Sequence, residues 1–170
     1  MAAGAAHPSG RSKGAQAADG GFISKNGIAT ICEEVTIAET TGAGTYSGSV
    51  DIPAGATILD VKIRNTAAWT ATTSATLIAG DTEDPNGFYD AINLKATDLV
   101  VGEELNFENL GGKPGVYLVA ATGHRDVYRP SATKVTVEVI TVGAAGNAGR
   151  TRMLVIYAAP AAIVRAATKV

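Results

Sequence analysis

From Ser49 to Asp81 the chain reads SVDIPAGATILDVKIRNTAAWTATTSATLIAGD. Over residues 57–64, Leu59, Val61 and Ile63 fall on one side of an extended chain. Asp60, Lys62 and Arg64 fall on the other, with Ile58 as the apolar exception. A period of two is the mark of a strand with one buried face. Pro53 and Gly55 break the run that precedes it, because proline has no N–H to give a ladder and glycine tolerates positive φ. The stretch therefore reads as strand, turn, strand, loop, strand. A chain built from such units folds as sheets.

The same punctuation continues along the sequence. Strands are expected at residues 30–38, 45–52, 58–65, 74–79, 104–107, 116–121, 133–142 and 151–159, with a helical turn near 89–94. In TKVTVEVITV, Val135, Val137 and Val139 alternate with Lys134, Thr136 and Glu138. Residues 153–157 are apolar on both faces, which suits a central strand or one covered by a neighbouring subunit. Seven or eight short antiparallel strands without a strong amphipathic helix imply an all-β protein, an antiparallel β-sandwich or jelly roll. The expected organisation is an extended N-terminal arm, residues 1–28, and a sandwich domain, residues 29–170, with a long loop at about 80–115.

The arm is made of Ala, Gly and Ser with Arg11, Lys13 and one acid, Asp19, over its first 21 residues. Such a segment buries too little to offset its ordering entropy, and it becomes ordered most easily when a partner surface holds it. It has no apolar core of signal-peptide type, so nothing in it directs secretion. The longest apolar run, 153–164, is interrupted by Pro160 and is shorter than the roughly 20 residues that span a bilayer. No membrane partner is expected, and a formal charge of −2 gives no footprint for nucleic acid.

Chemistry is sparse. Cys32 is the single cysteine, so neither an internal disulfide nor a cysteine-rich metal site is available. Alternation groups it with Thr30, Glu34 and Thr36, as a small side chain at a sheet edge. Of the two histidines, His7 lies in the arm and His124 in the loop ATGHRDVYRP, where Arg125 and Asp126 point different ways along the backbone. The acidic stretch Asp81, Glu83, Asp84, Asn86, Gly87 and Asp90 copies the middle of an EF-hand loop. Its first position would be Thr82 and its twelfth Asn93, and without the bidentate Glu that reading fails; the alternatives are a looser Ca²⁺ site built from loop carboxylates and carbonyls, or an acidic turn after a strand in which Asp and Asn cap the bend. GGKPG and GAAGNAG lack the spacing of a phosphate cradle, and no nucleophile elbow occurs. Trp69 sits in a loop of small residues, as a plug at the end of the sandwich, an anchor for a protein partner or a stacking platform for a sugar. A sugar-binding role would need help from Tyr89, Tyr117 or Tyr128.

With the strands placed, residues 49–94 resemble segments of small structural proteins of tailed bacteriophages. The shared features are the IPAGA turn, the alternating strand, a strand ending in Gly80-Asp81 and an acidic loop ending in Phe88-Tyr89; residues 133–142 match more loosely. Within that group the chain is most similar to capsid decoration, or cement, proteins, which sit on the outer shell and are often trimeric. The resemblance implies a non-enzymatic protein with no catalytic residues and no cofactor. It implies the major capsid protein as partner, self-association as a homotrimer, and a place on the capsid exterior after synthesis in a bacterial cytoplasm. Candidate contact residues are Arg11, Lys13, Phe22, Ile23, Trp69 and Arg125. The competing expectations are a tail, neck or head-fibre component and, from a different class, a carbohydrate-binding module that displays Trp69.

Overall fold

The computed structural model describes residues 22–23, 27–42, 44–95, 98–119, 127–144 and 146–160. Among the described residues ten strands succeed one another: β1 (Phe22–Ile23), β2 (Ile28–Ala38), β3 (Thr45–Ile52), β4 (Ala56–Ala67), β5 (Ser74–Asp81), β6 (Tyr89–Asn93), β7 (Glu104–Leu105), β8 (Tyr128–Arg129), β9 (Thr133–Val142) and β10 (Arg150–Pro160). They form two antiparallel sheets facing each other. The first has the order β1-β2-β10-β4-β7, with β8 also pairing β4; the second has the order β3-β9-β5-β6. From β2 to β5 the chain passes from one sheet to the other at every connection. The expected all-β sandwich is the observed architecture.

Both sheets bury their alternate residues in one core. Val135, Val137 and Val139 of β9 meet Val61 and Ile63 of β4, with Met153, Val155 and Tyr157 of β10, all buried within one cluster. Fully burying a side chain of this size stabilises by roughly 1.5–3 kcal/mol, so the inward rows of β4, β9 and β10 carry much of the fold. The strand β10 is central, flanked along its length by β2 and β4. That explains its two apolar faces: Met153, Val155 and Tyr157 point into the core, and Leu154, Ile156 and Ala158 are half-buried on the outside.

Three sequence expectations are corrected by local irregularities. On β4 the register against β10 shifts between Ile156 and Tyr157, and the alternation inverts at that point. Ile58 is 1% exposed and Leu59 is 48% exposed, so the apolar exception is the inward residue and Leu59 faces out. A bulge adds one residue to a strand and turns every side chain on one side of it to the opposite face. Residues 89–94 do not form a helical turn. They contain β6, in which Ala91 at φ 53° lets Asp90 and Ala91 both face solvent between buried Tyr89 and Ile92. Residues 116–118 form a 3-10 turn rather than a strand, held by the Leu118 N–H to the Gly115 carbonyl and the Tyr117 N–H to the Gly87 carbonyl. The short pairings of β1 and β8 carry no alternating run and were not legible in the sequence.

The bulge makes a test. Ile58→Ala is expected to cost about 2–5 kcal/mol, while Leu59→Ala changes stability by less than about 0.5 kcal/mol. Urea midpoints of the two variants measure the difference, and equal losses would place the bulge elsewhere.

Candidate functional site

The long connection after β5 is tied down by one carboxylate. Asp81 ends β5 and is 4% exposed. Its Oδ1 accepts the N–H groups of Glu83 and Asp84, both at 3.0 Å, and the Tyr117 hydroxyl at 2.9 Å. Its Oδ2 lies 2.8 Å from Nη2 of Arg129, a buried residue of β8. The guanidinium also stacks on the rings of Tyr117 at 5.0 Å and Phe88 at 5.8 Å. Burial, the hydrogen bond to Asp81 and the nearby carboxylates hold the Tyr117 phenol neutral well above its usual range. Gly87 is required here, because a Cβ at that position would stand 2.2 Å from Cε2 of Tyr117. The acidic stretch is thus a folded knot whose central carboxylate is fully occupied. Among the described residues no group of three or more His, Cys, Asp or Glu side chains is placed to hold a metal ion.

At the other end of β5, a second buried carboxylate gathers two loops. Glu39, just past β2, is 3% exposed. It accepts the Thr70 N–H at 3.0 Å, the Thr70 hydroxyl at 2.7 Å, the Ala71 N–H at 2.9 Å and the Gly149 N–H at 3.0 Å. Burial opposes its charge, but these donors outweigh the desolvation and bring its pKa from 4.5 down to about 2. Trp69 lies under this clamp, 3% exposed. Its Nε1–H donates to the Thr151 hydroxyl at 2.9 Å, and its ring meets Tyr46 at 5.6 Å between centroids. A Cβ on Gly149 would come within 2.6 Å of the indole, so glycine is needed for the close approach.

Trp69 is therefore the plug at the end of the sandwich, a correction to its candidacy as a contact residue: it has no ring face to offer a partner. The exposed aromatic platform expected of a sugar-binding module is not formed around it. Tyr89 is fully buried with its hydroxyl on the Val61 carbonyl at 2.7 Å, and Tyr117 is committed to Asp81. Arg11, Lys13 and Arg125, together with His7, His124 and Asp126, lie outside the described residues. The backbone of Phe22 and Ile23 pairs with Thr30 and Ala29 of β2.

A surface depression of 330 Å³ is lined by Asp98, Leu99, Glu103, Glu104, Leu105, Asn109 and Gly111. Its carboxylates serve the local backbone and neighbouring strands. Asp98 accepts the Asn93 N–H at 3.0 Å, Glu103 the Val100 N–H at 2.9 Å, and Glu104 pairs with Lys62 at 3.1 Å. Nothing in it joins a nucleophile to a base, which is the minimum for covalent or acid–base work.

What the surface does offer is contact. On the outer face of the first sheet, the half-buried Leu154, Ile156 and Ala158 run along β10. Ala158 lies in one row with Thr57 and Tyr128, and Tyr128 is 55% exposed. Leu59, turned outward by the bulge, extends the same strip. Ion pairs border it, Arg152 with Glu34 at 3.1 Å and Lys62 with Glu104 at 3.1 Å. The sequence missed Leu59 and Tyr128 because only the bulge and the β8 pairing bring them to that face.

No family model and no curated protein matches the chain. Three solved structures align with the chain. A chain in the acidic stable capsid structure of Helicobacter pylori bacteriophage KHP30 aligns with a TM-score of 0.51 at 16% identity, covering 77% of this chain and 88% of that one. A chain of the cyanophage Pam1 capsid asymmetric unit aligns at 0.49 and 18% identity over 93% and 94%. One from the capsid of Ralstonia phage GP4 aligns at 0.47 and 16% identity over 77% and 83%. The first of these likenesses is one of fold.

Two predictions concern the buried carboxylates. Asp81→Asn leaves the Arg129 charge buried without its counter-ion and is expected to cost about 3–5 kcal/mol, read from chemical unfolding at pH 7. Glu39→Gln is expected to cost about 2–3 kcal/mol at pH 7. Because the folded-state pKa of Glu39 is depressed, its contribution is full above pH 4.5 and fades as pH falls toward 2. The stability gap between Glu39→Gln and wild type should narrow across that window, and a pH-independent gap would contradict the assignment.

Proposed function

We propose that this chain is a non-enzymatic structural protein of a tailed-phage virion, a capsid decoration protein that binds the major capsid protein lattice from outside as a homotrimer. The observation that carries the reading is the likeness of fold to the KHP30 capsid chain, which extends over 88% of that chain. We read the strand order β2-β10-β4-β7 facing β3-β9-β5-β6 as that of a jelly roll, an architecture recurrent in viral capsid domains, and that reading supports the proposal. The side-chain chemistry agrees. The buried carboxylates at both ends of β5 lock loops to strands, and the available surface is an apolar strip bordered by ion pairs. A body of this kind resists unfolding and presents faces for symmetric contacts. The N-terminal arm is the natural tether, since an Ala/Gly segment gains main-chain hydrogen bonds with little side-chain entropy to lose.

Light scattering at two concentrations and co-sedimentation with shells of the same phage's major capsid protein test the reading. A particle of three times the 17.2 kDa chain mass that sediments with the shells is expected. A full-length protein that stays in the supernatant would refute the decoration role, and a hexameric ring would move it to the tail. Deleting residues 1–21 should leave the melting temperature within about 2 °C of the full chain and weaken sedimentation with the shells. Undiminished binding by the truncated protein would remove the arm from the contact.

A further inference from the structure

The strand β2 is paired along its whole length on one side, from Ile28 opposite Pro160 to Ala38 opposite Arg150. On its other side β1 covers only Ala29 and Thr30. Among the described residues no strand pairs with residues 31–38 on that edge, and Cys32, Glu33, Glu34 and Thr36 are exposed. An unpaired edge of eight residues is a template for another strand, and proteins that leave one open control what joins it. Here the control is charge. Glu33 and Glu34 stand in the middle of the open stretch, one on each face, and β2 carries no basic residue.

We propose that this edge takes, as an added strand, the basic part of the arm of a second copy of the chain, residues 9–15, SGRSKGA. The inference rests on the self-assembly part of the function proposed above and not on binding to a shell. Three observations select this occupant. Pairing β2 with β2 of a second copy brings four carboxylates and no base from the paired strands to one short ladder, which like-charge repulsion disfavours. The register of β1 and like charge disfavour the chain's own arm. Phe22 lies opposite Thr30, so continuing that ladder sets Asp19 directly opposite Glu33 and places Gly20 and Gly21 between them and β1. The same register carries Lys13 to Glu39, whose oxygens already hold four donors. An arm arriving from another copy has no such constraint. Arg11 and Lys13 are two residues apart and so share one face of an extended strand. On that face they meet the exposed Glu33, which otherwise accepts one hydrogen bond, from the Tyr157 hydroxyl at 2.6 Å. With Arg11 opposite Glu33 in an antiparallel ladder, Ser12 comes opposite Cys32; with Lys13 there, it comes opposite Glu34, two residues from Cys32 on the same face.

That geometry gives a cross-linking test with full-length chains. A tagged chain carrying Ser12→Cys and Cys32→Ser is mixed with the untagged wild type, so that each has one cysteine, and a short bifunctional maleimide is added. The expected product joins the tagged to the untagged chain through positions 12 and 32. Replacing Glu33 and Glu34 by lysine in the untagged chain should lower that product about tenfold, with circular dichroism showing the fold unchanged. If that variant fails to fold, raising the salt concentration makes the same comparison on the original pair. Oligomers that form without the mixed product would overturn the proposal while leaving self-assembly standing. A protein monomeric at every concentration and on shells would overturn both. A chain carrying Ser12→Cys beside its own Cys32 that closes internally, independent of dilution, would show the arm pairing within its own molecule and would also overturn it.

Discussion

The structure depends on one carboxylate that has no solvent to fall back on. Asp81 leaves water at the end of β5 and regains hydrogen-bond partners from three places: the turn that follows it, the 3-10 turn at Val116–Leu118, and Arg129 on β8. A buried charge pair of this kind adds little net stability compared with an apolar substitute, because desolvation consumes most of the attraction. Its value is positional. The long connection between β5 and β9 has short strands of its own and sends apolar side chains into the core, and Asp81 fixes the turn that begins it to Tyr117 and Arg129 near its end. With Asp81 in place, Phe88, Tyr117 and Arg129 stack on one another and close that end of the sandwich.

Glu39 plays the matching part at the opposite end of β5, with a difference in kind. Its partners are neutral donors, chiefly backbone N–H groups, so its charge is stabilised by oriented dipoles rather than by a counter-ion. The indole of Trp69 fills the space beneath, and its single polar atom is satisfied by Thr151. Both ends of the sandwich core are therefore sealed by polar groups whose bonds are internal, which leaves the sheet faces and strand edges as the surfaces open to partners.

Those surfaces differ in character. The outer face of the first sheet is apolar along β10 and bounded by ion pairs, a pattern suited to burial against a flat neighbour. The edge of β2 is polar main chain guarded by glutamates, a pattern suited to a strand of matching charge.

The sequence by itself determined the fold class and most strand positions. A period of two in residues 30–38, 45–52 and 133–142 has no other stable solution than a half-buried strand, and the observed β2, β3 and β9 run through those residues. What the sequence did not contain was the outcome of contacts between distant segments. The bulge in β4 depends on where β10 shifts register, so the direction of Ile58 and Leu59 was decided by pairing and not by local pattern. The 3-10 turn at Val116–Leu118 exists because Tyr117 reaches Asp81, 36 residues earlier. Trp69 became a plug because Thr151, 82 residues later, supplies the acceptor its indole needs when buried. Alternation is a local property and survives in one dimension; burial of a polar atom is settled only when its partner arrives from another strand.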